Sequence, residues 1–314
     1  MKKRYVALGL LGAAALTTAL SAKPAIYTIR NILFKIPVDP RSKTYTTGNV
    51  HIETNKTYDS AYANNTYDLY TPAERNDAPL IAWVHGGGFI GGDKVEVAAF
   101  ATALAQQGYC VAVMNYALVP KAKYPVPVVQ VSDFLRTLNE KDIIIAGDSA
   151  GAHIASQWLL TQTNPDYTFI DVPRLSMNVH GALLYCGPYD ALGIVNNASS
   201  PLIRSAFHYI GWGYFGSKKW ATGDALAPTT IANYVTTHFP PAYITDGNKL
   251  SFEAQGKALA EALTAQNVYV KTRFFEPAVE TFHEYQFMMD TEPAKLALED
   301  TLDFLETIQK REHL

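Results

Sequence analysis

The sequence predicts an α/β fold, a mostly parallel twisted sheet with helices on both faces and a small helical cap. Three observations carry this. From about Val50 onward, short runs rich in β-branched and aromatic residues alternate with helical patterns, the rhythm of a covered parallel sheet. Two of those runs, YCVAVMNY and GALLYCGPYD, are apolar enough to read as buried strands. The length of 314 residues, 48% hydrophobic and 18% charged, suits one large core.

The elements follow in order. Lys2, Lys3 and Arg4 precede an uncharged stretch over 5–22 rich in Ala and Leu, the pattern of an export signal. Residues 1–24 therefore read as a signal peptide or N-terminal membrane anchor, because a spanning helix needs about 20 apolar residues and this run is close to that. Over 25–49, Ile26, Ile29, Leu33 and Ile36 recur near helical spacing among Arg30 and Lys35. That amphipathic segment suits either a membrane surface or a place over the mouth of the domain. Residues 50–314 form the main domain. Its strands are expected at 66–71, 80–85, 109–116, 142–147, 182–187, 242–247 and 268–275, and its helices at 95–107, 128–139, 150–162, 252–266 and 293–310. Pro127 suits the start of the second helix, and Gly108 the left-handed residue after the first. The stretch 192–240 breaks the rhythm and carries Trp212, Tyr214, Phe215 and Trp220. It reads as the cap, above the strand carboxyl ends where such sheets bind ligands.

A net charge of −3 provides no field to gather nucleic acid, which is excluded as a partner. The two cysteines, Cys110 and Cys186, sit inside the apolar runs and read as small core hydrophobes rather than a disulfide. None of the eight histidines has Cys or carboxylate neighbours at metal-ligand spacing, so no metal and no cofactor is expected.

Two motifs carry chemistry. Gly147-Asp148-Ser149-Ala150-Gly151 directly follows the run DIIIA and directly precedes a helical pattern. That is the context of a nucleophile elbow, a tight strand-to-helix turn that lifts the serine hydroxyl above the sheet at a helix N-terminus. The second motif, His85-Gly86-Gly87-Gly88-Phe89, ends the run LIAWVH. Three consecutive glycines lose much backbone entropy on folding, and their use is to aim main-chain N–H groups at a substrate oxygen. The N–H groups of Gly87, Gly88 and Ala150 would form an oxyanion hole, where one donor is worth about 3 to 4 kcal/mol. A phosphate loop fits less well, because its Lys-Ser/Thr is missing.

In the order nucleophile, acid, histidine, the base comes after the last strand, which selects His283. The acid should follow the run AYIT, in a loop that offers Asp246 and Glu253; Asp190, in GPYD, is a third candidate.

With these residues in place, the chain resembles the bacterial branch of the hormone-sensitive-lipase-like carboxylesterases and acetyl hydrolases. The resemblance runs from about Tyr67 to Leu305 and rests on HGGGF at 85–89, NYALVPKAKYP at 115–125, GDSAG at 147–151 and FPPAYITDGN at 239–248. It implies the α/β-hydrolase fold, a serine mechanism through Ser149 and His283, and a small-molecule ester as substrate. One departure stands out: matching the family's Asp-x-Leu string to Leu250 puts Asn248 where the family has its acid. Asparagine holds a histidine without supplying charge, so the role passes to Glu253 first and Asp246 next.

The function expected is hydrolysis of short-chain, acetyl-like esters through an acyl-enzyme, in a protein secreted or membrane-anchored outside the cytoplasm. The alternatives are a membrane-surface lipase or acyltransferase fed through the N-terminal segment, and a non-catalytic binding protein on the same fold.

Overall fold

Eight strands form one sheet in the order β1-β2-β4-β3-β5-β6-β7-β8. They are β1 (Val50–Thr57), β2 (Thr66–Pro72), β3 (Leu80–Val84), β4 (Val111–Met114), β5 (Asp142–Asp148), β6 (Asn178–Tyr185), β7 (Ala242–Asp246) and β8 (Val270–Phe274). β2 runs antiparallel to β1 and β4, and every other pairing is parallel. This computed structural model describes residues 20–33, 48–198, 200–222 and 224–312. The signal or anchor segment over 1–24 lies outside them up to residue 19, as does the 25–49 segment from 34 to 47.

The helices are α1 (Lys23–Leu33), α2 (Ala98–Gln106), α3 (Val126–Leu138), α4 (Ala150–Thr163), α5 (Ala191–Asn196), α6 (Pro201–Phe215), α7 (Glu253–Ala265) and α8 (Glu292–Glu312). Because side chains alternate along a strand, the central strands feed two cores. Leu80, Ala82 and Val84 of β3, with Ile143 and Ile145 of β5, join Phe134 of α3, Trp158 of α4 and Leu259 of α7. Ile81 and Trp83, with Ile144 and Ala146, face the other way onto Phe100 of α2 and Phe304 and Leu305 of α8. Each fully buried side chain of this size contributes about 1.5–3 kcal/mol. Both faces being covered explains why the central strands are apolar throughout instead of alternating.

The expected strands all form, with ends shifted by a few residues. β1 was not foreseen: it is an edge strand carrying Glu53 and Lys56, half-exposed, with no apolar run to announce it. Gly108 takes φ +92° after α2, and Pro127 sits in the first turn of α3, both as expected. The stretch 192–240 holds α5, α6 and several short 3₁₀ turns. α1 packs against α6, where Ile26 is fully buried. The Arg30 guanidinium donates to the carbonyls of Ile90 and Val119. One face of the amphipathic segment is thus used inside the protein, while Tyr27 and Ile32 remain exposed.

Candidate active site

The register of the central strands creates the site. β3 and β5 are parallel neighbours with Val84 opposite Gly147, so the turns that follow them emerge side by side at the carboxyl edge. After β5 the chain reverses within one residue into α4. Ser149 adopts φ 48°, ψ −120°, a conformation few L-residues occupy, and its N–H donates to Tyr185 O of β6 at 2.8 Å. Gly151 allows the turn, since a Cβ there would stand 2.0 Å from the Val84 carbonyl oxygen.

The turn after β3 curls over the serine. Gly87 takes φ +107°, and a Cβ on it would meet the Gly91 carbonyl at 2.2 Å. His85 anchors this loop from below: its ring stacks on Tyr116 with centroids 4.5 Å apart, and the Tyr116 hydroxyl donates to His85 O at 3.1 Å. Burial pushes the His85 pKa down to about 4, so this histidine is a neutral structural group.

His283 arrives from the loop between β8 and α8, and its Nε2 lies 2.9 Å from Ser149 Oγ. On the other ring nitrogen, Nδ1 is 2.7 Å from Ser251 Oγ. The Ser251 hydroxyl in turn donates to Asp246 Oδ1. With Nδ1–H donating to Ser251, the order Ser149, His283, Ser251, Asp246 is a continuous hydrogen-bonded chain. Asp246 ends β7, is 1% exposed, and also accepts the N–H groups of Gly247 at 2.7 Å and Phe252 at 3.1 Å. Burial raises its pKa to about 6 even though His283 nearby pulls it down.

The three carboxylates therefore separate. Asp246 joins the histidine through a hydroxyl. Glu253, ranked first from the sequence, is not brought to His283; as the first residue of α7 it pairs with Lys257 one turn along, at 2.7 Å. Asp190 caps α5, accepting from Leu192 N at 3.1 Å and from the Thr230 hydroxyl. Asn248 turns away and fastens the histidine loop: it accepts Thr281 N–H at 3.1 Å and donates to Val279 O at 2.9 Å. Ser251 escaped notice in the sequence because a serine at a helix entrance ordinarily reads as a cap. The slot left open by Asn248 was the one available signal.

Spatial packing also brings Cys186 within 4.8 Å of Asp246 and His283, a grouping no sequence spacing reveals. Burial raises the Cys186 thiol well above its usual range, which leaves it protonated and a poor metal ligand. Cys110 and Cys186 are both buried and free, the environment expected for them.

Ser149, Ala150, Gly87, Gly88 and His283 line one cavity of about 240 Å³, the oxyanion-hole donors proposed from the sequence among them. Its walls are Phe89, Ile194, Phe207, Ile210, Tyr214 and Trp220, mostly from the cap. Phe89 stacks on Tyr214 at 4.1 Å, and Trp220 is pinned by its indole N–H to His208 O at 3.0 Å. Trp212, in the cap as expected, packs against the cluster around Trp220 and carries Lys218 over its ring.

Sheet order, elbow and cap together give the chain an α/β-hydrolase fold. The chain belongs to the BD-FAE family, whose model matches residues 67–263. Among proteins of known identity, it is 32% identical over 135 residues to the kynurenine formamidase of Danio rerio, covering 41% of this chain and 44% of that one. It is 27% identical over 217 residues to carboxylesterase NlhH of Mycobacterium tuberculosis, covering 64% and 66%. The chain thus spans less than half the length of the formamidase. Among solved structures, esterase B from Lactobacillus rhamnosis superposes with a TM-score of 0.73 at 23% identity, over 99% of this chain and 98% of that one.

Proposed function

We propose that the protein is a serine carboxylesterase acting on esters of short acyl groups. The observation that carries the reading is the 2.9 Å approach of His283 Nε2 to Ser149 Oγ at the floor of a cavity lined by Gly87, Gly88 and Ala150. His283 takes the Ser149 proton as Oγ attacks the ester carbonyl, and the N–H groups of Gly87, Gly88 and Ala150 hold the oxyanion. The alcohol leaves with that proton, and water repeats the sequence on the acyl-enzyme. Ser251 and Asp246 orient the imidazole and stabilise its charged form, with the serine hydroxyl as the link.

The short-acyl preference rests on size. A cavity of about 240 Å³ falls below the roughly 300–1,000 Å³ of pockets that enclose drug-sized ligands. The name of the Danio rerio relative adds a formyl amide as a second small acyl group to assay.

We place the protein outside the cytoplasm, secreted or anchored by its N-terminal segment. The support is the basic start and apolar run over 5–22, together with Leu20 and Ile32 left 74% and 70% exposed at either end of α1. Recovery of the full chain in the soluble cytoplasmic fraction of its host would sink that placement.

The activity is tested with p-nitrophenyl esters from acetate to palmitate, on the chain from Ala25 onward beside its Ser149→Ala variant. Turnover peaking at short acyl groups and abolished in the variant is the expected result. A folded protein that turns over no ester or formyl amide would overturn the reading and favour the non-catalytic binder.

A further inference from the structure

A pair of carboxyl groups on the cavity side of His283 has no part in the chain that ends at Asp246. Glu284 directly follows the histidine in the sequence and takes φ +57°, a left-handed conformation that turns its side chain back toward the site. Its carboxylate lines the cavity with 27% of the side chain exposed, and Oε1 lies 4.0 Å from His283 Nε2. Beneath it is Asp148, the residue before the serine, 2% exposed and hydrogen-bonded to Glu284. Asp148 Oδ1 also accepts the Trp83 indole N–H at 2.7 Å. Gly86 makes room for the pair: a Cβ there would stand 2.3 Å from Asp148 Oδ2 and 2.5 Å from Glu284 Oε1.

We propose that Glu284 is a second electrostatic partner of His283, acting from the cavity side while Asp148 holds it in place. The inference rests on the hydrolase reading above. Charge appears on the imidazole as the serine proton reaches Nε2, and Glu284 faces that nitrogen. Asp246 reaches the ring only at Nδ1 and only through the Ser251 hydroxyl. The two carboxylates therefore bracket the imidazolium.

Asp148 is the protonated member of the pair. Burial, and then the Glu284 charge, push the Asp148 carboxyl well above the usual range, so Asp148 keeps a proton and donates it to its neighbour. The other titratable groups around the pair are neutral or distant. His85 on the glycine loop is held neutral, the Tyr116 hydroxyl after β4 and the Cys186 thiol after β6 stay protonated, and Glu96 raises Asp148 weakly through space.

The test reads the imidazole directly. In the inactive Ser149→Ala protein, the His283 ring is titrated by NMR with and without Glu284→Gln. Loss of an anion this close should lower the titration midpoint by about one pH unit. In the active enzyme the same substitution should lower kcat about tenfold, with little change in KM, and shift the acid limb of kcat/KM in the same direction. A merely structural lesion lowers activity without moving the limb. Glu284→Gly serves as a second variant, since glycine accepts φ +57° without strain, and it should give the same midpoint shift. An unchanged midpoint in both variants overturns the proposal. Because the titration uses an inactive protein, that outcome is distinct from an absence of ester turnover, which bears on the hydrolase reading alone.

Discussion

Asp246 holds its charge against a penalty. Its folded pKa of about 6 stands above the 3.8 of a free aspartate, so the native state binds this proton more tightly than the unfolded chain does. The associated stability is fully present below about pH 4 and is lost as pH rises through 6, amounting to about 3 kcal/mol. On the proposed mechanism activity runs the opposite way, because the ionised carboxylate supports the imidazolium. Asp246→Asn should therefore melt higher than the natural protein at pH 8 and turn over at least about 100-fold more slowly there, with both differences closing toward pH 4. Equal melting curves at pH 8 would contradict this account of the burial. Glu253→Ala provides the contrast. Its half-exposed ion pair with Lys257 is worth a fraction of a kcal/mol, so kcat and stability should both stay close to the natural values. A large loss of activity in Glu253→Ala would return that residue to the role the sequence first assigned it.

At the scale of elements, the proposed short-acyl preference rests on the cap, which supplies most of the cavity wall. Trp220 is buried against α6, where its ring fills the space beside Gly211, and it forms one wall of the cavity. Trp220→Ala should move the preferred p-nitrophenyl ester toward longer chains, and an unchanged chain-length profile would place the acyl group elsewhere. This scale also shows how far the sequence could be read. The elbow and the glycine loop were legible because each needs glycine at a fixed place for steric reasons that no other residue satisfies. The link from Asp246 to His283 was not legible, because it depends on how the loop 246–252 folds back on 275–283. Asn248 fastens those loops and Ser251 bridges the gap, and neither act leaves a spacing signature. Nor did β1, a polar edge strand paired on one side only, carry enough apolar pattern to be found.

The molecule as a whole ties its N-terminal helix to the site. α1 buries Ile26 against Gly213 and Val119, and Arg30 grips the carbonyls of Ile90 and Val119. These contacts bind the loop after the three glycines, the segment after β4 and the cap helix into one unit. A chain beginning at residue 48 should lose about 2 kcal/mol or more of stability from the uncovered apolar surface alone. Its kcat should also fall, since the oxyanion loop loses its outer support; a truncated protein with the natural melting temperature and kcat would show that α1 is dispensable. The face of the amphipathic segment toward the body is occupied, and Tyr27 points to solvent.

The backbone of Ser149 has a historical implication. Its φ of 48° and ψ of −120° store on the order of 1–3 kcal/mol of strain that a glycine would largely relieve. A lineage released from turning over substrate would gain stability by the single change Ser149→Gly, with no compensating step needed. On the mechanism proposed above, the serine is thus a position where stability and turnover pull in opposite directions.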